Sequence, residues 1–417
     1  MRMKSKLLPA LVMAALGVAA LPQAQAAEEK CPIDKRQTKV MSERVGKKVQ
    51  RAFEFYSTDQ MDEALRVMLE ISPKQAFDKA YVNRFIGNIY AGIEGKTSEA
   101  LKYLQLAVDA DVLGGTDHAQ AMRLLADLRM QEKQYKGALA DYEKWMAFTC
   151  KEDKNVYLRM GQAQYELKQY NKVIPLADKA IALESKPNKN AYVLKMGSYY
   201  ESKQYPKAAK VVETMVELFP EESKLWVQLA QMYLLSEDYK KALYTMDVAY
   251  RQDLLEKPSH YKMLAQLYAQ NEVPFQSAKI QEMYLSKGIV EKDETSLSML
   301  ANTYHQAKEV KKAAQYYGEA AKLSNKAKHY SKQAALLLEA QEYKAAQAAG
   351  NNALKADGLT NKGQLQMVLA QAYFYDGKYK QAYAACEAAT KDKKTAKAAT
   401  SWLSYIKDTA ARKKVRI

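Results

Sequence analysis

The chain has 417 residues, 48% of them hydrophobic and 27% charged, with a formal net charge of +16. Glycine (16) and proline (10) are scarce, and Ala, Leu, Lys, Gln and Glu dominate, which is a composition of helices. Length alone suggests two or three globular domains, and the positive excess admits nucleic acid, anionic lipid or acidic proteins as partners.

Arg2, Lys4 and Lys6 precede a short apolar run over residues 7–21, and Ala24-Gln25-Ala26 supplies the small residues that a signal peptidase accepts. The run of about 15 residues is shorter than the roughly 20 that a membrane span needs, and no later segment is apolar enough to be one. The expectation is a signal peptide over 1–26 and export, with the periplasm as destination and a mature chain beginning near Ala27. The balance without the three signal charges is +13 (16 − 3). Exported chains rarely meet nucleic acid, so an anionic envelope component or an acidic partner fits better, and solvated helix faces with a lysine bias are the plain alternative. Residues 27–44 form a polar leader with no periodicity, expected to drape on the first repeat.

A paired pattern then begins. The first unit carries Ala52 and Phe55, then Met61, Ala64 and Met68. The second has Gly87 and Tyr90, a longer turn, then Ala100 and Leu104, with Gly114-Gly115 in a wide connection beyond. The third uses Leu125, Ala126, Ala138 and Trp145; the fourth Met160, Gly161, Val173 and Ala177; the fifth Gly197, Tyr199 and Ala208. The sixth, residues 226–249, is the most complete. Trp226, Leu229, Ala230 and Tyr233 share one helical face, a polar break follows at 236–238, and Ala242, Met246 and Ala249 share another. The seventh has Ala265, Pro274 in its turn and Ala278; the eighth Ala301, Tyr304 and Ala313; the ninth, rich in alanine, Ala334 and Ala346; the tenth Ala370, Tyr373 and Ala382. Residues 396–407, with Trp402, Leu403 and Ile406, read as a helix covering the last apolar face.

The small residue of each second helix, Ala64, Ala100, Ala138, Val173, Ala208, Ala242, Ala278, Ala313, Ala346 and Ala382, recurs at steps of 33 to 38 residues. An unrelated helical protein has no reason to hold such a period. The order W-x2-L-A-x2-Y followed by Ala resembles the tetratricopeptide repeat, a 34-residue helix-turn-helix unit. The resemblance implies an all-α, right-handed α-solenoid of about ten units over 45–392, with a capping helix and basic tail over 393–417.

Candidate chemistry is sparse. His118, His260, His305 and His329 are scattered with no ligand spacing, and there is no C-x-x-C, G-x-S-x-G, Walker loop or G-x-G-x-x-G. No catalytic residue, cofactor or metal is expected. Cys386 falls at a core position. Cys31 and Cys150 fall outside the helices, so a bridge between them is open in an oxidising compartment, although three cysteines leave the pairing undecided.

Function is then expected on the inner face. In a right-handed stack the first helices line the concave side, and positions three before, two before, one after and four after each small residue turn towards it. Those offsets give Arg84, Asn88, Arg123, Asp127, Arg159, Gln162, Lys195, Ser198, Gln228, Gln231, Lys262, Gln266, Asn302 and His305, with Tyr165, Leu234 and Phe374 interleaved. Guanidinium and amide groups at regular spacing suit an extended peptide, whose carbonyls and carboxylates need donors along its length. A merely solvated inner wall is the alternative.

Beyond the generic repeat, Cys31-Pro32, RAFEFY from Arg51, DKAYVNRFIGNIYAG from Asp78, KEDKNVYLR from Lys151, KPNKNAYVLK from Lys186 and YYGEAAKL from Tyr316 resemble a family of exported proteobacterial tetratricopeptide proteins. That resemblance implies a periplasmic scaffold accessory to TonB-ExbB-ExbD-type systems, binding a segment of an envelope protein. Peptidoglycan or anionic polysaccharide binding is the second expectation, and a redox-active Cys31 leader the third.

Overall fold

The computed structural model describes residues 31–417, so the expected signal peptide lies outside the described residues. All ten small residues fixed by the period, from Ala64 to Ala382, have 0% of their surface exposed. A larger side chain at such a position would push the paired helices apart.

The described residues fall into two compact units that divide between Leu167 and Lys168. The first contains α1 (Glu43–Ser57), α2 (Met61–Leu69), α3 (Ala76–Ala91), α4 (Thr97–Asp109), α5 (Gly115–Gln131), α6 (Tyr135–Thr149) and α7 (Lys154–Glu166), preceded by a 3-10 turn, Pro32–Lys35. The second contains α8 (Tyr170–Ala182), α9 (Lys189–Glu201), α10 (Tyr205–Leu218), α11 (Ser223–Leu235), α12 (Tyr239–Arg251), α13 (Pro258–Gln270) and α14 (Pro274–Ser286). It continues with α15 (Glu294–Gln306), α16 (Val310–Ser324), α17 (Ala327–Glu339), α18 (Tyr343–Lys355), α19 (Lys362–Tyr375), α20 (Tyr379–Thr390) and α21 (Ala396–Arg412). No strand occurs among the described residues. Within each unit every helix packs on the next in sequence, and α17 also meets α19 across one hairpin, as a one-dimensional stack requires.

The hairpin turns share one device. Asp59, Gly95, Lys133, Lys203, Glu237, Glu272, Lys308, Gln341 and Gly377 stand at φ between 57° and 76°, and Lys168 repeats the conformation at the division. This left-handed residue reverses the chain in three residues, or in five at Gly95, and only two of the positions use glycine. Pro274 is the first residue of α14 rather than part of the turn, because its fixed φ suits a helix's first position and its missing N–H is not needed there.

Consecutive hairpins in the second unit are joined by a recurring bond. On three first helices a tyrosine donates to a carboxylate on the preceding second helix: Tyr233 to Glu213, Tyr268 to Asp247 at 2.5 Å and Tyr304 to Glu282 at 2.5 Å. On α19 the direction reverses, and the Asn351 amide of α18 donates to the Tyr373 hydroxyl at 2.9 Å. Burial and the acceptor carboxylate push the Tyr268 phenol up to about 12. Glu282 accepts a second hydrogen bond from Tyr316 at 2.5 Å, and Tyr316 stacks on Tyr304 with centroids 5.7 Å apart. Burial works against the Glu282 charge, but the donors Tyr304, Tyr316 and Lys312 outweigh it and hold the carboxyl below its usual range.

The leader corrects an expectation. Its 3-10 turn lies on α5 and α6, the third hairpin, and only its end, at Met41, packs against the core that includes the first hairpin. Cys31 is disulfide-bonded to Cys150 at the left-handed end of α6, with Cα atoms 5.9 Å apart. Arg36 pairs with Asp111, donates to the Leu113 carbonyl at 3.4 Å and lies 4.9 Å from the Phe148 ring centroid. Gly115 opens α5 directly against the Ile33 carbonyl, where a Cβ would collide with that oxygen. The pair Gly114-Gly115 thus serves a close approach of backbones, not only a turn. Further along, Ser42 donates to Asp78 on α3 at 2.6 Å. The helix after the tenth hairpin runs to Arg412, five residues beyond its expected end, with Ile406 fully buried and the free thiol of Cys386 donating to the Ala399 carbonyl at 3.2 Å.

Candidate interaction surface

The first helices bring the predicted row to the surface, but not as free donors. In the first unit Arg84 on α3 pairs with Asp117 at 3.0 Å and donates to Gln120 at 3.1 Å, both on α5. Arg123 on α5 lies 3.5 Å from Asp127 and 3.8 Å from Asp153, and Arg159 on α7 lies 3.4 Å from Asp127. Asp127 also accepts from Tyr142 of α6. One carboxylate thus serves two guanidinium groups and a phenol, and the expected positive row is largely neutralised from within. In the second unit Lys195 on α9 is paired to Asp178 on α8 at 2.6 Å. Asn88 is half-buried, and Gln162 is exposed.

A cleft of about 390 Å³ opens in the first unit between Arg123, Leu124, Asp127, Gln120 and Trp145, with Ile33 of the leader as part of its wall. Three of those residues stand at the predicted offsets around Ala126. The Arg123 guanidinium lies 5.1 Å from the Trp145 centroid and 5.7 Å from that of Tyr142, so aromatic faces and Asp127 together fix its direction. Beside this cleft His118 is buried edge-on to Phe148, 5.0 Å between centroids; burial, then the Arg36 charge, lowers its pKa.

In the second unit a cleft of about 270 Å³ is lined by Tyr192, Lys195, Tyr199, Lys207 and Lys210. Here the register differs from the expected one. Ser198, predicted to face the groove, is 1% exposed and donates to the Leu194 carbonyl at 2.9 Å, while Gly197 is half-buried. Serine takes the close-approach position, since its hydroxyl is satisfied within its own helix. Counted from Ser198, Lys195 and Tyr199 are groove positions. Phe374 is a second correction: it is buried against Trp402 and Tyr405 of α21, 5.6 and 5.1 Å between centroids, so the last helix takes it out of the open face.

Further along, Asn302 and His305 on α15 line a cleft of about 290 Å³ with Tyr317, Lys332 and Glu339. A second cleft, also about 290 Å³, is lined by Lys328, Ser331 and Lys332 on α17, Asn361, and Gln364 and Val368 on α19. The two share Lys332 and Ala335, so one continuous groove crosses three successive first helices. Lys332 donates to Tyr317 at 3.1 Å. Ser331, Lys332, Ala335 and Val368 were not among the predicted residues, yet the same offsets applied to Ala334 and Ala370 give them. Gln228 on α11 contacts Met196 of α9 at 3.6 Å; Gln231 on α11, and Lys262 and Gln266 on α13, are exposed along the same helices. No group of metal-ligating side chains occurs among the described residues.

Residues 94–148 match the family model described as tetratricopeptide repeat, and residues 166–249 match that described as anaphase-promoting complex, cyclosome, subunit 3. The hairpins are tetratricopeptide repeats. No curated protein sequence matches the chain. Among solved structures the chain is similar to MamA from Desulfovibrio magneticus, 21% identical over 43% of this chain and 97% of that one, with a TM-score of 0.34. It is also similar to a tetratricopeptide repeat protein from Parabacteroides merdae, 14% identical over 63% and 99% of the two chains, with a TM-score of 0.38. A third is the Naa15/Naa10 structure bound to HypK-THB, 12% identical over 87% and 66%, TM-score 0.44. Tetratricopeptide repeats are generally non-enzymatic scaffolds that bind protein partners, and a stacked array offers them its inner wall. Among the described residues no helix is long and apolar enough to cross a membrane.

Proposed function

We propose that this chain is a non-enzymatic periplasmic scaffold, accessory to a TonB-type outer-membrane transport system, that holds an extended segment of an envelope protein along its first helices. The observation that carries the reading is the continuous groove over α15, α17 and α19. Its wall alternates amide, hydroxyl and ammonium groups with Ala335, Leu336 and Val368. That mixture suits a strand-like peptide, whose backbone takes the donors while every second side chain meets the apolar positions. The disulfide between Cys31 and Cys150 supports export, because such bonds persist in oxidising compartments. The TonB-type partner rests on the family resemblance of the sequence.

Affinity purification from cross-linked envelopes of the native host tests this. Recovery of TonB-ExbB-ExbD-type components or of an outer-membrane transporter is the expected result. A preparation yielding only general chaperones contradicts it.

A further inference from the structure

The groove cations and the cations of the last helix differ in one respect. Arg84, Arg123, Arg159 and Lys195 each have a carboxylate of the same chain within 4 Å. Residues 391–417 hold nine lysines and arginines against two aspartates, a balance of +7 (9 − 2) out of the chain's +16. Among the described residues none of those nine forms an ion pair; Lys407 lies 5.3 Å from the Tyr383 ring, and Arg412 bonds only to Asp408 O and Thr409 Oγ1 of its own helix. Their field is therefore uncompensated.

The same end carries an aromatic surface. Tyr375 is 54% exposed and stacks on Tyr343 at 5.4 Å, and Tyr405 is 50% exposed and lies 5.8 Å from Trp402, which in turn reaches Tyr375 at 6.4 Å. On α21 the exposed residues Lys397, Ser401, Tyr405, Asp408 and Arg412 follow one helical stripe, so the patch and the cations share a face. Beyond α21, Val415 and Ile417, 40% and 39% exposed, alternate with Lys414 and Arg416.

We infer that this face docks on an anionic phospholipid bilayer. Exposed tyrosines with a wet hydroxyl and an apolar ring suit the headgroup boundary, and lysines and arginines around them meet lipid phosphates without needing fixed spacing. A neutral sugar polymer would call for amide groups at set positions, and residues 391–417 contain no Asn or Gln. The apolar stripe of α21 is already used on α20, so the contact is peripheral and no segment inserts across the membrane.

Co-sedimentation of the purified full chain with vesicles tests this. Binding is expected to phosphatidylglycerol–phosphatidylcholine vesicles and not to pure phosphatidylcholine, weakening steeply from about 0.05 to 0.5 M salt. Replacing Arg412, Lys413, Lys414 and Arg416 with Gln should weaken it roughly tenfold or more, with unchanged circular dichroism because these side chains lie in solvent. Tyr405→Ser should weaken it at every salt concentration. The inference is overturned by salt-independent or absent binding of the unmodified chain, or by full binding of the fourfold variant. It is equally overturned if polygalacturonate or an acidic protein is bound as tightly as the vesicles with no effect of Tyr405→Ser. Lys332→Ala, in the groove, should leave vesicle binding intact, so failure of the peptide reading and of this one are separable.

Discussion

Tyr268 on α13 donates to Asp247 on α12 at 2.5 Å, across the joint between one hairpin and the next. Asp247 also receives Arg251 at 2.7 Å, so the carboxylate is held from two sides. Two further tyrosine joints in the same unit place a carboxylate acceptor 20 and 22 residues before the donor, and in a third Asn351 donates to Tyr373, 22 residues on. A bond repeated in that register couples neighbouring repeats alongside their apolar contacts and the ion pairs that also cross between them.

Tyr268→Phe removes the donor and leaves the ring in place. A bond to a charged, half-buried acceptor contributes about 1–2 kcal/mol, so thermal unfolding should shift down by a few degrees. Tyr244→Phe, at a 64%-exposed residue, should shift nothing. Equal melting of both variants would remove the joint from the account.

The left-handed turns give a prediction of opposite signs. Gly377 stands at φ 76°, and Gly377→Ala should destabilise by about 1 kcal/mol because a Cβ is unfavourable there. Glu237 stands at φ 59°, and Glu237→Gly should be neutral or stabilising by up to about 1 kcal/mol. Denaturant midpoints at constant slope are the measurement.

The disulfide closes a loop across a sequence separation of 119 residues. Cys150→Ser should cost the first unit about 2–4 kcal/mol, chiefly by freeing the unfolded chain, and expose the leader to proteolysis near Arg36. Cys386→Ala lies elsewhere, in a buried site of the second unit, and should leave that cleavage pattern unchanged.

Glu294 supplies the pH dependence. Hydrogen bonds from Lys326 at 2.6 Å and from His329 at 2.7 Å, joined by Lys328, pull its carboxyl down to about 2. A carboxylate with a depressed folded pKa stabilises above its unfolded value, near 4.5, and loses that contribution as the pH falls towards 2. Glu294→Gln should therefore melt lower at neutral pH, with the difference closing between about pH 4.5 and 2. A gap that persists at pH 2 would assign the effect to packing.

Much of the fold was legible because close packing forces a small residue at each hairpin crossing, and Ala242 and its nine counterparts declare themselves by spacing alone. Ser198 escaped that reading because glycine beside it looked the better candidate, and only the structure shows which of two small neighbours is inside. The leader's seat on α5 was not legible, since Ile33 and Gly115 are 82 positions apart and neither belongs to a periodic pattern. The groove was legible in position but not in charge. Asp117 and Asp153, which neutralise Arg84 and Arg123, come from the following repeat, 33 and 30 residues on, beyond any within-helix rule.

The central claim is that the first-helix groove of the second unit grips a partner. Photo-crosslinking amino acids placed singly at Ser331 and Val368 in the groove, and at Gln315 on α16, test it in growing cells. Discrete adducts of one size from Ser331 and Val368, absent from Gln315, are the predicted result. Adducts from Gln315 alone, or the same pattern from all three, would contradict it.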